Sequence, residues 1–139
     1  MAVLGIMSLL VLVVFASGCT SNEKLLIQYN LSAGASPNFV GVQNVTVPNG
    51  TNTVKFVAQN LTKLYPNVNT SNVIIYMLNT VPVSGATQNY TVNILEQKTI
   101  DLSNETQPLS VTYTFNNTQI KGILTVNTNA KGLIQIYTS

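Results

Sequence analysis

From Leu109 to Asn116 apolar and polar side chains alternate without a break, with Leu109, Val111, Tyr113 and Phe115 on one parity and Ser110, Thr112, Thr114 and Asn116 on the other. A period of two sends successive side chains to opposite faces of an extended backbone, so this stretch reads as a strand with one face on a core. The pattern recurs. Lys24 to Leu31 places Leu25, Ile27, Tyr29 and Leu31 on a core face, Val54, Phe56 and Ala58 oppose Thr53 and Lys55, and Tyr90, Val92 and Ile94 oppose Asn89, Thr91 and Asn93. Val73 to Leu78, VIIYML, is an almost continuous apolar run, which predicts a central strand buried on both faces. Lys98 to Leu102 adds a short strand. Ile120 to Val126 and Leu133 to Tyr137 flank Asn127 to Gly132, the outline of a terminal hairpin.

Turn residues separate these runs at Ser32 to Asn38, Tyr65 to Asn72, Pro82 to Gln88 and Ser103 to Pro108. Pro48-Asn49-Gly50 is the strongest turn signal, since Asn-Gly accepts the positive φ of a tight hairpin, and it predicts that Phe39 to Val47 pairs with Thr53 to Leu61. Val40 and Val42 lie on one parity and Val45 and Val47 on the other, which predicts a β-bulge near Gln43. About eight short strands with no helical period after Cys19 imply an all-β chain, an antiparallel β-sandwich of immunoglobulin-like architecture. The Cys and Trp signature of true immunoglobulin domains is missing, as the chain has no Trp and one Cys. The final strand, with Leu133, Ile134 and Ile136, is expected to be an edge able to pair with another copy.

The start of the chain follows a different rule. Ala2 to Phe15 is apolar, Ala16, Ser17 and Gly18 are small, the only cysteine follows as Cys19, and Thr20 to Lys24 is polar. An apolar run before small residues and a cleavage point is the pattern of an export signal, expected here as an N-terminal hydrophobic signal or anchor helix. Ala16-Ser17-Gly18-Cys19 resembles a lipobox, and the resemblance is to prokaryotic surface lipoproteins. It implies that Cys19 carries a diacylglyceryl group, whose two chains suffice for stable anchoring. The pattern departs in having no Lys or Arg before the apolar run and Ala16 where Leu is more common. Left uncleaved, Ala2 to Gly18 is 17 residues, the lower limit of a membrane-spanning helix. Both readings put residues 25–139, a single β domain, on the extracytoplasmic face of the membrane, behind a signal or anchor at 1–18 and a tether at 19–24.

Composition narrows the chemistry. With no His there is neither a Ser-His-Asp triad nor an imidazole metal cluster, and no glycine-rich phosphate loop occurs. Six Lys and no Arg are scattered along the chain, which argues against nucleic acid as a partner. Glu96, Asp101 and Glu105 suggest at most a weak Ca²⁺ site, weighed against solvated loop charges. The chain is therefore expected to be no enzyme and to need no cofactor or metal.

Polarity comes from 18 Asn and 17 Thr, which spell eight Asn-x-Ser/Thr sequons at Asn30, Asn44, Asn49, Asn60, Asn69, Asn89, Asn104 and Asn116. On an Asn/Thr-faced strand such a motif arises automatically, as at Asn30, Asn44, Asn60 and Asn89. Asn49, Asn69, Asn104 and Asn116, in or beside predicted loops, are the better glycosylation candidates. A sequon excess with a lipobox and no disulfide resembles surface lipoproteins of archaea. Among the tyrosines, Tyr29, Tyr90 and Tyr113 fall on apolar strand faces, while Tyr65, before Pro66 in a polar loop, is the candidate for ligand contact.

These readings lead to a non-catalytic, membrane-anchored surface lipoprotein acting as an interaction, adhesion or envelope-structure module toward an extracellular protein or glycan. The alternatives are a pilin-like subunit retaining its N-terminal helix and a carbohydrate- or ion-binding accessory domain. Cys19→Ala is expected to move the protein from the detergent phase to the aqueous phase in a partitioning assay. Full-length Cys19→Ala protein staying in the detergent phase would point to the uncleaved helix.

Overall fold

In the computed structural model, which describes residues 23–31, 40–80 and 93–139, the chain is all β. Its strands are β1 (Lys24–Asn30), β2 (Val40–Thr46), β3 (Val54–Lys63), β4 (Asn72–Leu78), β5 (Ile94–Asp101), β6 (Leu109–Phe115), β7 (Gly122–Thr128) and β8 (Ala130–Thr138). They form two four-stranded antiparallel sheets, β1-β8-β3-β6 and β2-β7-β4-β5. The pairing is nested: β4 with β5, β3 with β6, β2 with β7 and β1 with β8. This double ribbon is rolled so that β8 also meets β3 and β7 meets β4. An eight-stranded ribbon rolled into two sheets is a jelly roll. The expected antiparallel sandwich is present, but its connectivity is not immunoglobulin-like, because only β4 and β5 are both consecutive and neighbours in one sheet.

Rolling overturns the two predicted hairpins. The β2–β3 connection crosses from one sheet to the other, so Phe39 to Val47 does not pair with Thr53 to Leu61. Gly50 has φ 84°, whereas Asn49 is not in the left-handed region. The turn over Pro48 to Thr51, closed by Thr51 Oγ1 donating to the Pro48 carbonyl at 2.8 Å, thus has positive φ only at its third residue. That is a type II pattern, which does not carry the twist of a two-residue hairpin. β7 and β8 likewise lie in different sheets, joined at the single residue Asn129, so the loop expected over 127–132 is a corner inside nearly continuous extended chain. β8 is consequently an interior strand between β1 and β3, not an edge. The stretches expected as separate strands around Ile94 and Lys98 merge into β5.

The core is made by Val54, Phe56, Ala58, Leu61, Phe115, Ile134 and Ile136 of the first sheet against Val45, Val73, Ile75, Met77, Ile100 and Ile123 of the second. β4 is central as expected, yet only one of its faces is fully buried, and Ile74 and Tyr76 are half-buried on the outside. β2 pairs with β7 in unbroken register from Val40 to Thr46. No bulge forms at Gln43; the strand buries Val45 and Val47 and leaves Val40 and Val42 outside, Val42 at 61% exposure. A bulge does occur in β1, between Leu25 and Ile27, and turns Leu25 out of its expected core face to 50% exposure. Tyr29 stays inward, donating to Thr125 Oγ1 at 3.2 Å, and burial pushes its phenol above the ordinary value near 10 despite that contact. Its contribution to stability therefore holds below pH 10 and is lost as the pH rises toward the raised value.

β3 carries a second bulge. Its register to β6 shifts between Ala58 and Leu61 and to β8 between Gln59 and Thr62, around Asn60 at φ 57°. The extra residue flips the parity, so Leu61 returns to the core after Ala58 and is fully buried. Gly132 of β8 lies against this bulge: a Cβ there would sit 2.7 Å from Leu61 Cδ2 and 3.0 Å from the Gln59 carbonyl oxygen. Gly132→Ala is expected to cost roughly 1–3 kcal/mol through this clash, read as a lowered urea midpoint at unchanged m-value.

Candidate functional site

The strands define two poles. β3 runs from Val54 to Lys63, Thr138 of β8 pairs with both Val54 and Lys24, and so the chain enters β1 at the Val54 pole. The opposite pole, about 30 Å away at 3.3 Å per residue along β3, collects the end of β3, the β3–β4 loop, the β5–β6 loop and the corner at Asn129. There a cleft of about 370 Å³ is lined by Thr62, Lys63, Pro66, Leu102, Glu105, Thr106 and Gln107. Leu102 is fully buried and forms the floor beneath the cleft, and exposed Pro66 is the apolar residue at its surface. The other five lining residues are polar, with an ammonium, a carboxylate, an amide and two hydroxyls. The Oγ1 of Thr62 is buried and has no hydrogen-bond partner, an uncompensated desolvation cost beneath the cleft.

Asn129 shapes this pole. Its backbone is left-handed at φ 48°, a conformation Asn tolerates better than most residues, and its side chain is fully buried. The Oδ1 accepts from the Tyr65 N–H at 2.7 Å, while Nδ2 is within 3.0–3.2 Å of the carbonyl oxygens of Tyr65, Val68 and Thr70. The Asn129 carbonyl accepts from the Leu64 N–H at 3.1 Å and from Ser71 Oγ at 2.7 Å. A loop without regular structure from Leu64 to Ser71 thus has its backbone groups paired by one residue from the opposite end of the chain. On the other wall, Asp101 accepts from the Ser103 N–H at 2.9 Å, which starts the β5–β6 loop and holds the Asp101 carboxyl below its ordinary value.

Tyr65, the expected ligand contact, is 44% exposed and sits beside Pro66 of the cleft, but it is not itself a lining residue. The carboxylates weighed for Ca²⁺ are divided: Asp101 serves its turn, Glu105 lines the cleft, and Glu96 faces the sandwich side of edge strand β5. Among the described residues no group of three or more His, Cys, Asp or Glu is placed to hold a metal ion. Asn49, Asn69, Asn104 and Asn116 are exposed, as are Asn30, Asn44 and Asn60. Asn69 and Asn104 belong to the two loops that wall the cleft. Cys19, the segment expected as an N-terminal helix, Asn89 and Tyr90 lie outside the described residues. No helix among the described residues is long and apolar enough to cross a membrane. Sequence reasoning missed Lys63 and Gln107, and it missed the role of Asn129, because each gains its place only when distant strand ends meet.

No family model and no curated protein sequence matches the chain. The solved structures similar to the chain include two adhesin domains. One is the K3 cleaved adhesin domain of Lys-gingipain from Porphyromonas gingivalis W83, 12% identical, matched over 84% of this chain and 71% of that one with a TM-score of 0.43. The other is the K1 cleaved adhesin domain of the same protein, 16% identical, matched over 71% of this chain and 59% of that one with a TM-score of 0.35. Likeness this distant assigns no activity.

Asn129→Ala removes the amide that pairs the Tyr65 N–H and the Val68 and Thr70 carbonyls and forces Ala into a left-handed backbone, so it is expected to lower stability by roughly 3 kcal/mol. Asn129→Gly restores the backbone freedom alone and should recover about 1 kcal/mol of that loss. Urea denaturation of both variants measures the two contributions separately.

Proposed function

We propose that this chain is a non-catalytic surface lipoprotein whose β-sandwich presents a small polar cleft to an extracellular partner, away from the membrane. The observation that carries the reading is polar placement: the segment bearing Cys19 enters at Lys24, and the cleft opens at the opposite end of the same strands. Anchored through Cys19, the domain turns its Lys63–Glu105 pole outward. An interaction module needs this arrangement, whereas a site beside the anchor would be shielded by the bilayer.

Chemistry supports a polyhydroxylated ligand such as a surface glycan. Thr106 and Gln107 donate and accept hydrogen bonds, Glu105 accepts, Lys63 donates, and Pro66 offers an apolar surface for the C–H face of a sugar ring. The volume suits a terminal sugar or a single side chain rather than a long polymer. Exposed Asn69 and Asn104 are glycosylation candidates on the loops that wall this cleft, and glycans there would flank the opening.

The test is a glycan array probed with the full-length protein in detergent micelles. Binding is expected, with at least a tenfold loss (about 1.4 kcal/mol) in Glu105→Ala and Lys63→Ala and a smaller one in Tyr65→Ala. A silent array, or binding indifferent to both cleft variants, would leave adhesion to a protein partner through another surface as the better account.

A further inference from the structure

Of the four edge strands among the described residues, three are guarded against pairing with another sheet. β1 has the Leu25–Ile27 bulge and Lys24. β5 points the charged Glu96 and Lys98 toward the sandwich side, opposite Met77 and Ile75. The Lys98 ammonium also lies 5.6 Å from the ring centroid of Tyr113, placing a charge beside edge strand β6. Bulges and inward charges are what keep sheet edges from extending. β2 has neither. Its sequence, VGVQNVT, is uncharged and free of proline, and its register is unbroken.

The direction of its free hydrogen-bonding groups follows from the ladder. The Val47 N–H donates to the Lys121 carbonyl at 3.0 Å, in the register that pairs β2 with β7. Hydrogen-bonded pairs alternate along an antiparallel ladder, so odd-numbered residues of β2 bond to β7 and Val40, Val42, Asn44 and Thr46 turn their N–H and C=O groups outward. Among the described residues no strand meets them. The same residues carry the outer face, where Val40 and Val42 are 39% and 61% exposed. Val42 continues a cross-strand row through Val126 to Ile74, and Asn44 continues one through Leu124 to Tyr76.

We propose that two copies of this chain associate by antiparallel pairing of β2 with β2, about a two-fold axis at Gln43. A second copy fits because the edge is complementary to itself. With Gln43 opposite Gln43, Val42 of one copy faces Asn44 of the other and Val40 faces Thr46, so all four residues with outward groups pair, and no like charges meet. The two copies' β2-β7-β4-β5 sheets then form one continuous sheet, and the exposed valines gain neighbours across the axis. The inference stands apart from the cleft, which lies at one pole, and from any ligand there.

Light scattering after size exclusion of the full-length protein in detergent micelles tests it. The wild type is expected at twice the monomer's protein mass. Val42→Pro removes an outward N–H without touching a β2–β7 hydrogen bond and should weaken association at least about tenfold. Val42→Lys, which keeps the backbone intact, should do the same by adding charge beside the axis. Thr112→Lys on β6 should leave the dimer unchanged, and circular dichroism should be unaltered in every variant. A wild type that stays monomeric at the highest concentration reached, or a dimer that survives both Val42 variants, overturns the proposal. A glycan on Asn44 in protein from its own membranes also overturns it, since a sugar there occupies the pairing edge.

Discussion

The far pole of this domain hangs from one buried amide. Asn129 takes the left-handed conformation that sends the chain from one sheet to the other, and with the same side chain it closes the loop from Leu64 to Ser71. Both tasks suit Asn: its carboxamide both donates and accepts, and it tolerates positive φ at modest cost. Asp would lack the donor, Gly the side chain, and Gln the short reach. The cleft depends on this because Pro66 is placed by the loop that Asn129 holds, while Leu102 and Glu105 come from the loop opposite. A recognition surface made of irregular backbone is thus tied to the rigid core rather than left to the loops.

The β class was legible because alternation is a local property. β3, β6 and most of β1 show it plainly, and their inward residues are those the period selects. The roll was not legible, since the Pro48-Asn49-Gly50 signal looks alike for a hairpin and for an arch between sheets. The difference lies in whether Asn49 also takes positive φ. The bulge in β3 was available to a closer reading: Val54, Phe56 and Ala58 share a parity that Leu61 breaks, and Asn60 between them tolerates the left-handed turn. The bulge expected at Gln43 failed for an instructive reason. It assumed that every valine seeks the core, whereas β2 keeps its ladder and leaves two valines outside.

Inversion of this kind is concentrated in one sheet. On β7 the inward residues include Thr125 and Asn127, both buried, while Leu124 and Val126 face outward toward Tyr76 and Ile74 of β4. The other sheet shows the ordinary arrangement, with Gln28, Gln135 and Gln59 joined side chain to side chain across three strands at 2.8–2.9 Å. One outer face is therefore an amide- and hydroxyl-rich surface that water wets, and the other is apolar for most of its width. Few charges are available to correct the imbalance, with ten Lys, Asp and Glu residues in the whole chain. The cleft was legible only in part: Tyr65 was singled out, but its neighbours from the β5–β6 loop are about forty residues away and no local pattern links them.

The nested pairing also sets an order on assembly. β4 and β5 are close in sequence, and each further pair of the ribbon encloses the last until β1 meets β8. β8 is an interior strand of its sheet, flanked by β1 and β3, although it is the last strand of the chain. β1 must therefore wait, unpaired in that sheet, until β8 is in place. Until then the partly folded chain holds a sheet with a gap where β8 belongs, and any strand with matching alternation can fill it. A fold built this way is most exposed to misassembly in the interval before β8 is inserted.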